Sequence, residues 1–114
     1  MDRIDRVNSL IKDTVAFILT RRMKDPRLGL ITIHDVVVSR DLQNAKIYFG
    51  VTNLSEKDET EVLLNAASSF IRKELGKEIT LRHIPKLQFI YDNSYEKGDR
   101  IFRLLRKIKK DETE

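Results

Sequence analysis

The sequence contains no cysteine and no tryptophan, and only two prolines and four glycines among its 114 residues. Without cysteine there is no disulfide scaffold, no thiol nucleophile and no cysteine-ligated metal site. The four glycines, at 29, 50, 76 and 98, form neither a GxGxxG fingerprint nor a Walker loop, so nothing points to a nucleotide cofactor. Long hydrophobic runs are missing too. The most apolar stretch, 28–38, is about half of what a spanning helix needs and is broken by His34 and Asp35. The opening Met1-Asp2-Arg3-Ile4-Asp5-Arg6 lacks the unbroken apolar core of a signal peptide. A reducing, cytoplasmic setting without membrane contact is the simplest expectation.

What the chain does have is charge. Lys, Arg, Asp and Glu make up 35% of it, well above the roughly 25% of an average domain. The apolar residues nevertheless come in periodic runs, which argues for a fold, and the length suits one domain. The net +4 conceals an uneven layout: residues 1–29 carry +3, residues 30–55 are neutral, residues 56–76 carry −2 and residues 77–114 carry +3. A basic excess toward both ends fits a nucleic-acid face, although a solvated charged surface is the commoner explanation of such a pattern.

Residues 3–22 read as a helix, with Ile4, Val7, Leu10, Ile11, Thr14, Val15 and Ile18 on one stripe. Asp25-Pro26 then stops it, because the residue before a proline avoids helical geometry. Two strands follow, 30–38 and 45–51, joined by the polar stretch 39–44, with a bulge expected where alternation fails at His34-Asp35. A helical region begins near Ser55 as N-cap and runs to Leu75, with Gly76 as its left-handed stop. Adjacent serines within Ala66-Ala67-Ser68-Ser69 predict a kink, since their hydroxyls can bond back to the previous turn. A third strand, 87–92, comes after this crossover and should run parallel to one hairpin strand. A basic amphipathic helix over 95–110 and a loose tail, 111–114, complete the chain. The predicted organisation is a body over 1–94 followed by this extension and tail.

Catalysis finds few candidates. His34 and His83 have no carboxylate or histidine at a catalytic or metal-binding spacing, and Asp92 and Asp99 suit turns and helix starts better than metal ligation. Phe49, Phe70 and Phe89 repeat as core residues should, leaving no evident stacking platform beyond Tyr48. The basic residues are the informative set: Arg21, Arg22, Lys24 and Arg27 after the first helix, Arg72, Lys73 and Lys77 toward the end of the second, Arg82 before the last strand, and Arg100, Arg103, Lys107 and Lys110 along the C-terminal helix. Their chemistry suits phosphate oxygens, because a guanidinium donates two bonds in one plane. Contact with RNA backbone and shape is expected more than reading of base sequence.

Several ordered stretches then converge. Met23-Lys24-Asp25-Pro26-Arg27-Leu28-Gly29, Val38-Ser39-Arg40-Asp41-Leu42, Phe70-Ile71-Arg72-Lys73-Glu74-Leu75-Gly76, and Leu81-Arg82-His83-Ile84-Pro85-Lys86-Leu87 continuing to Ser94 resemble the ribosome-binding factor A family over residues 3–108. The resemblance implies a single α+β domain of the type II KH-like fold, ordered helix, strand, strand, kinked helix pair, strand, with a C-terminal basic helix. It implies a non-enzymatic bacterial assembly factor without a cofactor or metal. Such a factor binds the free small (30S) ribosomal subunit, assists late maturation and processing of its 16S ribosomal RNA, matters in the cold, and in some species leaves with help from a maturation GTPase. A monomer is expected. In ordinary KH domains a GxxG loop grips the nucleic-acid backbone. The family replaces it with an Ala-x-Gly kink, matched here by Ala67, Ser68 and Ser69, a serine standing where the glycine would be. The residues expected to touch RNA phosphate are Arg3, Arg6, Arg21, Arg22, Lys24, Arg27, Arg72, Lys73, Lys77 and Arg82. The alternatives are a general structured-RNA-binding KH-like module and a protein-interaction adaptor using the acidic 56–61 segment or the C-terminal helix.

Overall fold

The computed structural model of the chain describes residues 2–23, 25–26, 31–94 and 105–106. Helix α1 spans Arg3–Arg21 and is capped by Asp2, whose carboxylate accepts from the backbone N–H of Asp5 at 2.9 Å. Val7, Ile11, Val15 and Ile18, at helical steps of four and three, are buried. Leu10 departs from expectation and is 42% exposed. Neighbouring helical residues point about 100° apart, so of the pair Leu10–Ile11 only Ile11 lies on the line through the core.

Three strands form one sheet in the order β1 (Ile31–Val38), β2 (Asn44–Val51), β3 (Lys86–Tyr91). The first two are antiparallel, and β3 runs parallel to β2, as its crossover connection requires. The register shifts between Ile33 and Asp35, so His34 is the extra residue of a bulge. In the connection, Leu42 takes a left-handed backbone (φ 61°) and donates to the carbonyl of Ser39 at 2.9 Å. The central strand supplies the middle of the core through Ala45, Ile47 and Phe49, with Val36 and Phe89 beside them and Leu64, Ile71 and Leu75 above.

The kinked pair is α2 (Lys57–Ala66) and α3 (Ser68–Glu78). Its start differs from expectation. A short 3-10 turn, Leu54–Glu56, precedes it, and the capping side chain is Asn53, which accepts from the backbone N–H of Ser55. Its end differs as well: Ile79 N–H still bonds to the carbonyl of Leu75 at 3.1 Å, so Gly76 is an ordinary helical residue and no described glycine has a positive φ. The interruption sits at Ala67 (φ −91°, ψ 1°), whose N–H reaches both Leu63 and Leu64 carbonyls. Neither serine hydroxyl bonds back to the preceding turn among the described residues, so the bend lies in the backbone at Ala67 and not in serine bonding.

Side chains from the helices close the sheet's outer edges, where a strand otherwise offers unpaired backbone groups. Asn8 accepts from Val38 N–H at 2.9 Å on the β1 side. On β3, the Asn65 amide both donates to and accepts from Phe89 at 2.9 Å, and Glu61 accepts from Tyr91 N–H at 2.8 Å. The expected C-terminal helix, with Arg100, Arg103, Lys107 and Lys110, and the tail lie outside the described residues, apart from helical Leu105 and Arg106.

Candidate nucleic-acid interface

The ten basic residues singled out by sequence separate into groups with different tasks. Lys24 and Arg27 fall outside the described residues. At the C-terminal end of α3, Arg22 binds Glu74 at 2.6 Å through one nitrogen and Glu78 through the other, while Lys77 meets Glu74 at 3.1 Å. The Phe17 ring lies under the Arg22 guanidinium, 5.8 Å from its centroid. Glu74 is buried, and the hydrogen bonds from Arg22 and then Lys77 hold its carboxyl below the usual range. The same bond to Glu74 raises Arg22. Arg22 thereby fastens α1 to α3, and Lys77 shares Glu74 with it from within α3.

Arg72 is also committed. Its Nε and one terminal nitrogen donate to the Ile84 carbonyl at 3.1 and 2.7 Å, tying the 79–85 connector to α3. That clamp is what places Arg82 and His83. The connector and α3 form an open groove of about 520 Å³ lined by Ser69, Lys73, Arg82 and His83, together with Arg72. Lys73 and Arg82 are exposed and make no hydrogen bond or ion pair among the described residues. On its far side the connector borders a second groove, which Arg82 shares with Arg3. Arg6 and Arg21 are exposed on α1 and likewise unpaired among the described residues, but they line neither groove.

Beside the first groove the helix break matters. No side chain caps α3 at Ala67. The exposed Ser69 stands one turn before Lys73 on the same helical face and lines the groove with it. Phe70, expected in the core, is 46% exposed instead. It stands three residues from Lys73, on an adjacent helical position, so an apolar ring accompanies the cation. As with Leu10 and Ile11, hydrophobicity alone does not separate Phe70 from its buried neighbour Ile71. His83, which the sequence suits to orienting a turn or meeting a phosphate, lines the groove on the connector that the Arg72 clamp holds.

Sequence spacing left His34 without a carboxylate partner. The fold brings Asp92 to it, with Nδ1 and Oδ2 2.9 Å apart. The ring crosses the central strand over Gly50, where an added Cβ would lie 2.5 Å from Nε2. Bonds from Ser94, then from His34, push the Asp92 carboxyl down to about 2. Ser94 serves the carboxylate and not the imidazole, so the trio lacks the order of a nucleophile and its base. Among the described residues no cluster of His, Asp and Glu could hold a metal ion, and no helix is long and apolar enough to cross a membrane.

This arrangement of helices and sheet has close parallels. A crystal structure of ribosome-binding factor A from Thermus thermophilus superposes with a TM-score of 0.72 at 22% identity, covering 79% of this chain and 97% of that one. A Thermus thermophilus ribosome-binding factor A homology model, fitted into the cryo-EM map of a 30S complex, gives 0.64 at 23% identity over 75% of this chain and 91% of that one. The ribosome-binding factor A of Syntrophobacter fumaroxidans is 45% identical over 113 residues, covering 96% of this chain and 97% of its own. The family model for ribosome-binding factor A matches residues 3–105, and the chain belongs to that family.

Proposed function

We propose that this protein binds the free small ribosomal subunit and assists late maturation and processing of its 16S ribosomal RNA, with greatest importance in the cold. It works without catalysis, as a cytoplasmic monomer, and a maturation GTPase assists its release. The observation that carries this proposal is the placement of Lys73 and Arg82. The Arg72 clamp on the Ile84 carbonyl sets both along one groove beside the helix break, free of acidic partners among the described residues. Family membership and the 30S complex of the Thermus relative support the choice of partner.

The mechanism is electrostatic docking on folded RNA. Cations held by rigid elements meet phosphates whose spacing depends on the RNA fold, so the protein binds one RNA conformer more tightly and shifts the population toward it. Residues 1–94 carry this docking surface, and the basic 95–110 segment extends it. Arg3, Arg6 and Arg21 add positive potential around the two grooves, whereas Arg72 holds the connector in shape and Arg22 and Lys77 neutralise Glu74 without lining either groove.

Cosedimentation of the Lys73→Ala/Arg82→Ala variant with free small subunits across a salt series tests the proposal. The log–log salt slope is expected to become shallower by about two, since each phosphate contact contributes roughly 0.9. An unchanged affinity and slope would overturn it, as would binding that survives ribonuclease treatment of the subunits.

A further inference from the structure

We infer that the groove between the start of α1, the β1–β2 connection and the 79–85 connector is a pocket for a single unstacked nucleotide with an amino-bearing base. The inference rests on the RNA-binding function proposed above and assigns it a second contact, which shares Arg82 with the first. The groove encloses about 430 Å³, within the range of small-ligand sites. Its floor is apolar: Val7, Val38 and Pro85 are buried, and the partly buried Leu42 and Leu81 complete it. Its rim is polar and exposed, with Arg3, Arg82 and His83, and with Asp41 and Gln43 on the connection.

This combination narrows the ligand. A free phosphate would satisfy the arginines but has no apolar surface for the floor, while an apolar peptide side chain would leave the cations unused. A nucleotide has both a flat ring for the floor and an anion for Arg3 and Arg82. The Asp41 carboxylate fixes the orientation, because it repels the phosphate and accepts from N–H groups. Bonds from the Ser39 hydroxyl at 2.6 Å and the Gln43 N–H at 3.1 Å, both to Oδ1, hold it in place and favour its ionised form. An exocyclic amine is therefore preferred at that rim over a carbonyl oxygen, which selects cytosine or adenine over uracil.

The backbone supplies an independent sign that this corner is shaped for a purpose. Leu42 is the only described residue other than glycine with a positive φ, a conformation that disfavours a branched side chain, yet it keeps leucine on the floor. A glycine would relax the turn and remove the floor.

The test is a titration of the isotopically labelled full-length protein, followed by amide NMR shifts, with cytidine 5′-monophosphate, uridine 5′-monophosphate and inorganic phosphate. The cytidine nucleotide is expected to move Leu42, Leu81, Arg82 and His83 and to bind about fivefold or more tightly than the uridine nucleotide. Gln43→Trp, which fills the mouth without removing a cation, should weaken it about tenfold. Leu42→Gly, which favours the same turn and removes the floor, should weaken it too. Equal responses to phosphate and cytidine nucleotide, or indifference to both variants, would overturn the nucleotide pocket. Neither of those results touches the Lys73/Arg82 salt slope, so the subunit-docking proposal stands or falls separately.

Discussion

Around α3, similar basic side chains stand in opposite employment. At its C-terminal end, Arg22 and Lys77 are matched by Glu74 and Glu78, and the cluster fastens the helix to α1. In the middle of the helix, Lys73 faces Arg82 across a groove that no acid lines among the described residues. What differs is where the carboxylates lie: Glu74 and Glu78 are α3's own and take up Arg22 and Lys77, whereas no acid lines the Lys73 groove among the described residues, and that decides whether a cation consumes its charge on the fold or holds it for a partner.

The sharpest way to break this comparison is to reverse charge at the open groove. Lys73→Glu/Arg82→Glu should lower small-subunit affinity on the order of 100-fold at low salt, with an unchanged thermal midpoint, measured by cosedimentation and melting. The matched end should respond the other way. Arg22→Ala leaves buried Glu74 with Lys77 alone, so the midpoint is expected to fall by about 5 °C while subunit affinity stays within roughly twofold. The acid side of the stability curve sharpens the same point. Because the folded carboxyl of Glu74 lies below its ordinary 4.5, its contribution is complete above that pH and is lost as pH falls through the lower folded value. Arg22→Ala should move that loss to higher pH.

The smallest effect is expected far from α3. Gly50→Ala places a Cβ against the His34 ring and swings it off Asp92, costing less than about 1 kcal/mol for so exposed a pair. The stabilisation from Asp92 is present above 3.8 and disappears as pH falls through about 2, and the variant should lose its His34-dependent part, read from the Asp92 carboxyl resonance. A value that stays near 2 in Gly50→Ala would show that Ser94 alone sets it.

Local pattern carried much of the fold. The α1 stripe, the β1 bulge and the hairpin follow from side-chain period and turn chemistry, which act over a few residues, whereas the break near Ala67 falls at the expected place without the serine bonding expected to cause it. Where the reading failed, the cause was a choice between neighbours. Leu10 and Ile11, or Phe70 and Ile71, are equally apolar, and only the direction of the packing partner separates them. Asn53 took the cap from Ser55 because the backbone entered a 3-10 turn first, and Gly76 stayed helical because the Ile79 bond to Leu75 continued the ladder.

For the candidate site the division is sharper still. The sequence by itself determined the inventory: a cysteine-free, charge-rich single domain with basic ends, an ordered set of family motifs and a helix break at a known place. Tertiary structure decided which cations are spent, since Arg22 meets Glu74 across 52 residues and Arg72 meets Ile84 only through the path of the connector. It also decided that His34 has a carboxylate and that Arg3 borders the same groove as Arg82. The physical reason is that charge and hydrogen-bonding capacity are properties of a residue, whereas their satisfaction is a property of whatever the fold places within about 3 Å of it.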